Sequence, residues 1–221
     1  MSKKLWEEEV KNIAAQLRCP EGKMGIKVAN TMNQTNIGMT QAGIEALKMK
    51  EDDDFLEIGH GNAAHLKEIL NVTKNVTYRG LDISEAMHRE AQKINSKFLE
   101  TGRASFHLYE GQKIPFPDNA FDKIMTVNTI YFWKEPLHFM NEVYRVLKKG
   151  GRFAIGFVEK EFMKNLPVTK YGFELYGTQE LEKLVQRTHF KIESIHNKTE
   201  QLKSKSGELV DRKFTIFCLV K

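Results

Sequence analysis

Cysteine is nearly absent from this sequence: Cys19 and Cys218 are the only two, and they stand at opposite ends of the chain. Neither a disulfide framework nor a C-x-x-C redox or zinc site follows from that spacing, so no metal is expected. Long apolar runs are absent too. None approaches the roughly 18 residues of a membrane span, and the first residues, Met-Ser-Lys-Lys-Leu-Trp-Glu-Glu-Glu, lack the apolar stretch of a signal peptide. The expectation is a soluble, cytoplasmic protein with no membrane insertion. Charge of one sign is not concentrated: 34 Lys and Arg oppose 29 Asp and Glu, leaving a formal +5 with basic residues scattered among acids. Such scatter argues against a nucleic-acid partner. There is no internal repeat and no low-complexity tract.

What is present is a chain of 221 residues, 41% hydrophobic, long enough to close one sizeable core. Leu5, Trp6, Val10, Ile13, Ala14 and Leu17 recur at helical spacing, and Cys19-Pro20-Glu21-Gly22 ends that helix. Two more helices are predicted, Ile26 to Met32 and Gln41 to Met49, the second with Thr40 as N-cap. Residues 1–50 therefore read as an N-terminal helical extension or lid, and residues 51–221 as the main domain.

From Phe55 the texture changes to short apolar runs between amphipathic stretches, the pattern of a parallel sheet covered on both faces. Strands are predicted near Asp54 to Ile58, Thr77 to Leu81, Ser105 to Tyr109, Lys123 to Val127, Arg152 to Phe157, Lys191 to Asn197 and Phe214 to Val220. Helices are predicted at Ala63 to Leu70, Glu85 to Phe98, Pro136 to Leu147 and Gln179 to Arg187, with Ser84 and Thr178 as N-caps. Lys198 to Arg212 is polar without helical periodicity, so the last two strands should form an antiparallel hairpin.

The first strand runs into Glu57-Ile58-Gly59-His60-Gly61-Asn62-Ala63, and glycines there let a ligand approach the backbone. Asp82 ends the next predicted strand, where an acid is suited to accept ribose hydroxyls. A dinucleotide would bring its pyrophosphate to the helix N-terminus, where Glu57 would repel it. S-adenosylmethionine carries no phosphate but an ammonium and a sulfonium, which suit a carboxylate.

Taken in order, these segments resemble the class I S-adenosylmethionine-dependent methyltransferases, most closely the group acting on small molecules. Leu56 to Ala63 looks like their first motif, with Ala63 where a third glycine is usual and less room beside the methionine moiety. Gly80-Leu81-Asp82-Ile83-Ser84 resembles the second motif, which implies Asp82 on the ribose hydroxyls and Ile83 on one adenine face. Tyr109-Glu110-Gly111 is similar to the third, with Glu110 accepting from the adenine amino group. Val127-Asn128-Thr129-Ile130-Tyr131-Phe132-Trp133 matches the segment facing cofactor and substrate. The resemblance implies a doubly wound α/β fold: a seven-stranded sheet in the order 3-2-1-4-5-7-6, its last strand antiparallel, ligand at the carboxyl ends.

Methyl transfer from a sulfonium is an in-line displacement that needs alignment, and a general base only when the acceptor must lose a proton. Tyr131 and His138 are the candidate catalytic residues; Tyr131 and Trp133 are candidates for walling the acceptor. Asn33 and Asn36, in the segment before the first strand, are candidates for a lid over the methionine carboxylate. His65 reads as a helix-face residue. The partner implied is a small-molecule methyl acceptor. A non-catalytic adenosylmethionine sensor, and a methyltransferase acting on RNA or protein, are the alternatives.

Overall fold

A computed structural model describes residues 3–203 and 207–221. Seven strands form one sheet: β1 Asp54–Ile58, β2 Thr77–Asp82, β3 Ala104–Leu108, β4 Phe121–Val127, β5 Leu147–Val158, β6 Lys191–Lys203 and β7 Leu209–Val220. Their order is β3-β2-β1-β4-β5-β7-β6, with β7 antiparallel to both neighbours and the other described pairings parallel. The core is built from strand residues buried on both faces, among them Phe55, Leu56, Ile58, Ile124, Met125, Phe153, Ile155, Phe157 and Phe217. Register brings Ile58 beside Leu81 and Thr126, Val127 beside Gly156, and Val158 beside Phe214. The ends of β2, β1, β4 and β5 and the beginning of β7 consequently share one edge of the sheet.

The helices are α1 Lys3–Arg18, α2 Gly22–Leu47, α3 Leu66–Leu70, α4 Glu85–Ile94, α5 Ser96–Glu100, α6 Pro136–Val146, α7 Lys160–Met163 and α8 Thr178–Val185. Among the described residues, no helix is long and apolar enough to cross a membrane, and no group of three or more His, Cys, Asp or Glu could hold a metal.

Several local expectations change. The helices predicted at Ile26 to Met32 and Gln41 to Met49 are one helix, α2, in which Thr40 is a buried interior residue rather than an N-cap. The polar stretch from Asn33 to Thr40 stays helical because Met39, Ala42, Ile44 and Leu47 pack into the main core, and packing outweighs the weak propensities of Asn, Thr and Gly. The helix predicted from Glu85 to Phe98 divides at Asn95, whose side-chain amide donates to Ala63 O at 3.1 Å and Ala91 O at 3.0 Å. Ala63 itself is left-handed, φ 48°, so the next helix starts at Leu66 rather than Ala63. The Ser84 cap is present: its hydroxyl accepts from Met87 N at 3.1 Å, while Thr178 is the first residue of α8 and Gly177 its N-cap. The closing hairpin is longer than predicted, taking up much of Lys198 to Arg212; residues 204–206 of that segment lie outside the described residues.

Candidate active site

A cavity of about 360 Å³ opens along the shared strand edge, walled by the ends of β1, β2, β4 and β5, by α1 and α2, and by the segment around α7. The glycine loop after β1 forms its centre. Gly59 takes φ +76° and donates its N–H to Leu81 O at 2.7 Å; a Cβ there would collide with Thr129 Cγ2. Gly61, φ +57°, has open space where a Cβ would stand, so a ligand can reach its backbone. Asn62 ties the loop to α2, its amide donating to Asn30 Oδ1 at 2.8 Å.

Glu57 lies beneath this loop, 3% exposed, and its carboxylate is already occupied. His65 Nε2 stands 2.9 Å from both oxygens, and the Tyr78 hydroxyl donates to Oε2 at 2.6 Å. On the far side of the same ring, Asn33 Nδ2 lies 3.1 Å from His65 Nδ1, so α2 reaches the first-motif acid through one imidazole. Burial pushes the Glu57 carboxyl up, but the His65 charge and the two hydrogen bonds prevail and hold it below the usual range. Burial pushes His65 down, and Glu57 more than reverses this, so the ring is held above its ordinary value.

Asp82 differs in kind. It is 6% exposed and accepts from Gly61 N and Ser84 N, each at 2.9 Å, with no ion-pair partner among the described residues. Burial raises its pKa, against smaller lowering by His60 and the backbone donors. A buried carboxylate bordering a cavity without a cation keeps lone pairs for a hydroxylated ligand. Ile83 stands exposed at the cavity's edge beside Gly111, and Tyr109 lines the same end. His60 is buried: it donates from Nδ1 to Gly61 O at 2.7 Å, Nε2 has no partner among the described residues, and burial pushes its pKa down, keeping the ring neutral.

At the other end, Asn128 adopts φ +58° and accepts at Oδ1 from the Tyr131 hydroxyl at 3.0 Å. That hydroxyl also accepts from Val158 N at 2.6 Å. Tyr131 is 3% exposed and burial pushes its phenol well up, so its hydroxyl pins the loop after β4 to the end of β5. Thr129 Oγ1 lies 2.5 Å from Thr126 Oγ1 and accepts from Trp133 Nε1 at 3.2 Å. Beyond these residues the wall is mostly apolar, with Phe132, Trp133, Phe162, Met163, Leu166 and Phe173, and Arg212 is the charged exception.

Of the residues singled out from sequence, Glu57, Gly59, His60, Gly61, Asn62, Asp82, Ile83, Gly111, Asn128, Thr129, Tyr131, Trp133, Asn33 and Asn36 all line the cavity. Ser84 does not; it caps α4 and donates to Pro20 O at 2.5 Å, fastening the α1–α2 connection. Glu110 and His138 are exposed and outside the lining, His138 on the solvent side of α6. Ala63 is fully buried and off the wall, so its methyl does not narrow the cavity. Sequence reasoning missed His65, Arg212 and the aromatic residues after β5. His65 carried a faint signal, since the short loop after β1 returns it, just ahead of α3, to the strand end that bears Glu57; Arg212 sits in a stretch that reads as loop.

A doubly wound sheet with a glycine loop over β1 and a cation-free acid ending β2 defines a nucleoside-binding α/β enzyme fold. Residues 56–155 match the methyltransferase domain family. The chain is 30% identical over 130 residues to the uncharacterized methyltransferase YdaC of Bacillus subtilis, covering 58% of this chain and 67% of that protein. It is 28% identical over 127 residues to the 27-O-demethylrifamycin SV methyltransferase of Amycolatopsis mediterranei, covering 57% of this chain and 46% of that one. A SAM-dependent methyltransferase from Aquifex aeolicus superposes with a TM-score of 0.68 at 20% identity, over 89% of this chain and 98% of the other, a likeness of fold. The chain belongs to the class I S-adenosylmethionine-dependent methyltransferases.

Proposed function

We propose that this methyltransferase acts on a small, largely apolar acceptor bound between the ends of β4 and β5, the α2 wall and the residues around α7. The observation that carries the reading is the division of the cavity: polar and glycine-rich at β1 and β2, apolar and aromatic beyond Asn128. A relative whose name specifies 27-O-demethylrifamycin SV supports a small-molecule acceptor.

At the polar end, Asp82 would accept the ribose hydroxyls, Ile83 and Gly111 would border the adenine, and Tyr109 would close that side. Gly59 and Gly61 would bring the backbone against the methionine portion, with Asn33 and Asn36 facing it from α2. Glu57 would act through the His65 pair, since both its oxygens are engaged there. The cofactor supplies an electrophilic methyl group on a sulfonium. The residues of the chain hold the acceptor in line and exclude water, which is where most of the acceleration of such a displacement originates. Tyr131, its hydroxyl spent on Val158 and Asn128, contributes shape rather than proton transfer.

Calorimetry with S-adenosylhomocysteine, followed by its release from S-adenosylmethionine across a panel of aromatic and aliphatic metabolites, tests the reading. Saturable binding and release above background are expected with apolar acceptors. Tighter binding of NAD, or release only with nucleic acid or protein, would reject it.

A further inference from the structure

The apolar end of the cavity holds one buried cation. Arg212, on β7, is 7% exposed and lines the cavity from the strand adjoining β5, away from Asp82 at the end of β2 and Ile83 just after it. Its Nε and Nη2 donate to Glu200 Oε1 at 3.0 and 2.6 Å, across the β6–β7 register. Nη2 also donates to Thr35 O at 2.6 Å, and Nη1 to Asn36 Oδ1 at 3.0 Å. Glu200 is seated close to α2 because Gly38 has no side chain; a Cβ there would lie 2.6 Å from Glu200 Oε2.

A guanidinium has five N–H groups in a fixed fork. Four are used within the protein, and the fifth, on Nη1, has no acceptor among the described residues. A donor buried beside an apolar wall and left unmade is costly, so its place is explained by a ligand oxygen. The carboxylate of Glu200 offsets the charge of Arg212, and a single free N–H cannot grip a carboxylate with two parallel bonds.

The structure assigns Arg212 the role of fixing the methyl acceptor, by donating its remaining Nη1–H to one oxygen of an otherwise apolar molecule. This rests on the acceptor site proposed above. The substrate class is thereby narrowed to apolar, aromatic-sized molecules bearing a carbonyl or carboxylate oxygen apart from the atom that is methylated. Arg212 would be a specificity-determining residue.

The test uses benzoate, acetophenone and toluene as probes, added to protein saturated with S-adenosylhomocysteine and followed by ligand-observed NMR. Wild type should bind both oxygen-bearing probes about tenfold or more tightly than toluene, the scale of a hydrogen bond to a charged group; their relative affinity distinguishes carboxylate from carbonyl. Arg212→Met should reduce the preference to about twofold or less. If Arg212 only held α2, all three probes would weaken together and the ratio would survive. Arg212→Lys guards against a misfolded variant: its three N–H groups match Glu200, Asn36 and Thr35, so the fold should persist while the preference disappears. A wild type that binds no oxygen probe or shows no preference, or a folded Arg212→Lys that keeps it, overturns the assignment. Failure of S-adenosylhomocysteine to bind at all would instead strike the reading of the cavity as a cofactor site.

Discussion

His65 Nε2 sits 2.9 Å from each carboxylate oxygen of Glu57, both side chains buried under the glycine loop. The acid expected to meet the cofactor's ammonium is thus half of an ion pair inside the protein, and Tyr78 supplies a third contact. Such a pair is costly to break from one side, because the survivor is left charged and dry.

His65→Ala should therefore destabilise the fold by about 3–5 kcal/mol, with Glu57→Gln/His65→Ala recovering part of the loss. Thermal unfolding should show the single variant melting lower than the double. A single variant within about 1 kcal/mol of wild type would show that the pair does not hold the loop.

The same pair sets a pH window. Glu57 is held below its unfolded value, so its contribution is present above the ordinary carboxylate range and is lost as pH falls through the depressed pKa. His65 is held above its unfolded value, so its contribution is complete below the ordinary imidazole range and fades as pH rises through the raised pKa. Stability of wild type relative to Glu57→Gln/His65→Gln should peak between those limits and decline on both sides. A pH-independent difference in urea unfolding would contradict this.

Much of the fold was legible because its cause is local: short apolar runs between amphipathic stretches specify the parallel sheet, and the polar 198–212 stretch specifies the hairpin. The continuity of α2 was not, since it depends on Met39, Ala42 and Leu47 meeting the sheet, a contact that the sequence around Asn33-Gln34-Thr35-Asn36 does not announce. At the site, Gly59 and Asp82 were readable from spacing. Arg212 was not, because it gains its meaning from Asn36, far back along the chain, and His65 was not, because its pairing with nearby Glu57 depends on how the glycine loop turns between them.

Asp82→Asn should weaken S-adenosylhomocysteine binding by about 1.5–3 kcal/mol, the value of a hydrogen bond to a charged group, in calorimetry. An amide in that place must also turn its NH2 toward either the Gly61 or the Ser84 N–H, a donor facing a donor. Because burial raises the Asp82 pKa, wild-type affinity should fall as pH drops through it, and the Asn variant should lack that step. Undiminished affinity in the variant would remove Asp82 from the cofactor site.

Gly59→Ala sets two costs against each other, a left-handed φ of +76° and a methyl group driven into Thr129 Cγ2. The backbone cost is about 1–2 kcal/mol and the clash adds to it. Thr129→Ser removes Cγ2 but keeps the hydroxyl that lies against Thr126 and accepts from Trp133, so the double variant should be free of the clash and retain only the backbone strain. Chemical denaturation of all four proteins would show this as a favourable coupling. Additive losses would mean that the two residues do not meet as described.

Tyr131→Phe separates a catalytic phenol from a structural one. The hydroxyl accepts from Val158 N and donates toward Asn128 Oδ1, and its removal leaves a buried N–H with no partner. The expected cost is about 1–3 kcal/mol of stability. Burial raises the Tyr131 pKa, so the group stays neutral and cannot serve as a base near neutral pH. The pH profile of kcat/KM should accordingly keep its shape in the variant, lowered at most uniformly as Asn128 loosens at the mouth of the acceptor site. A limb of that profile that vanished with the hydroxyl, in a protein of unchanged stability, would return Tyr131 to the reaction itself.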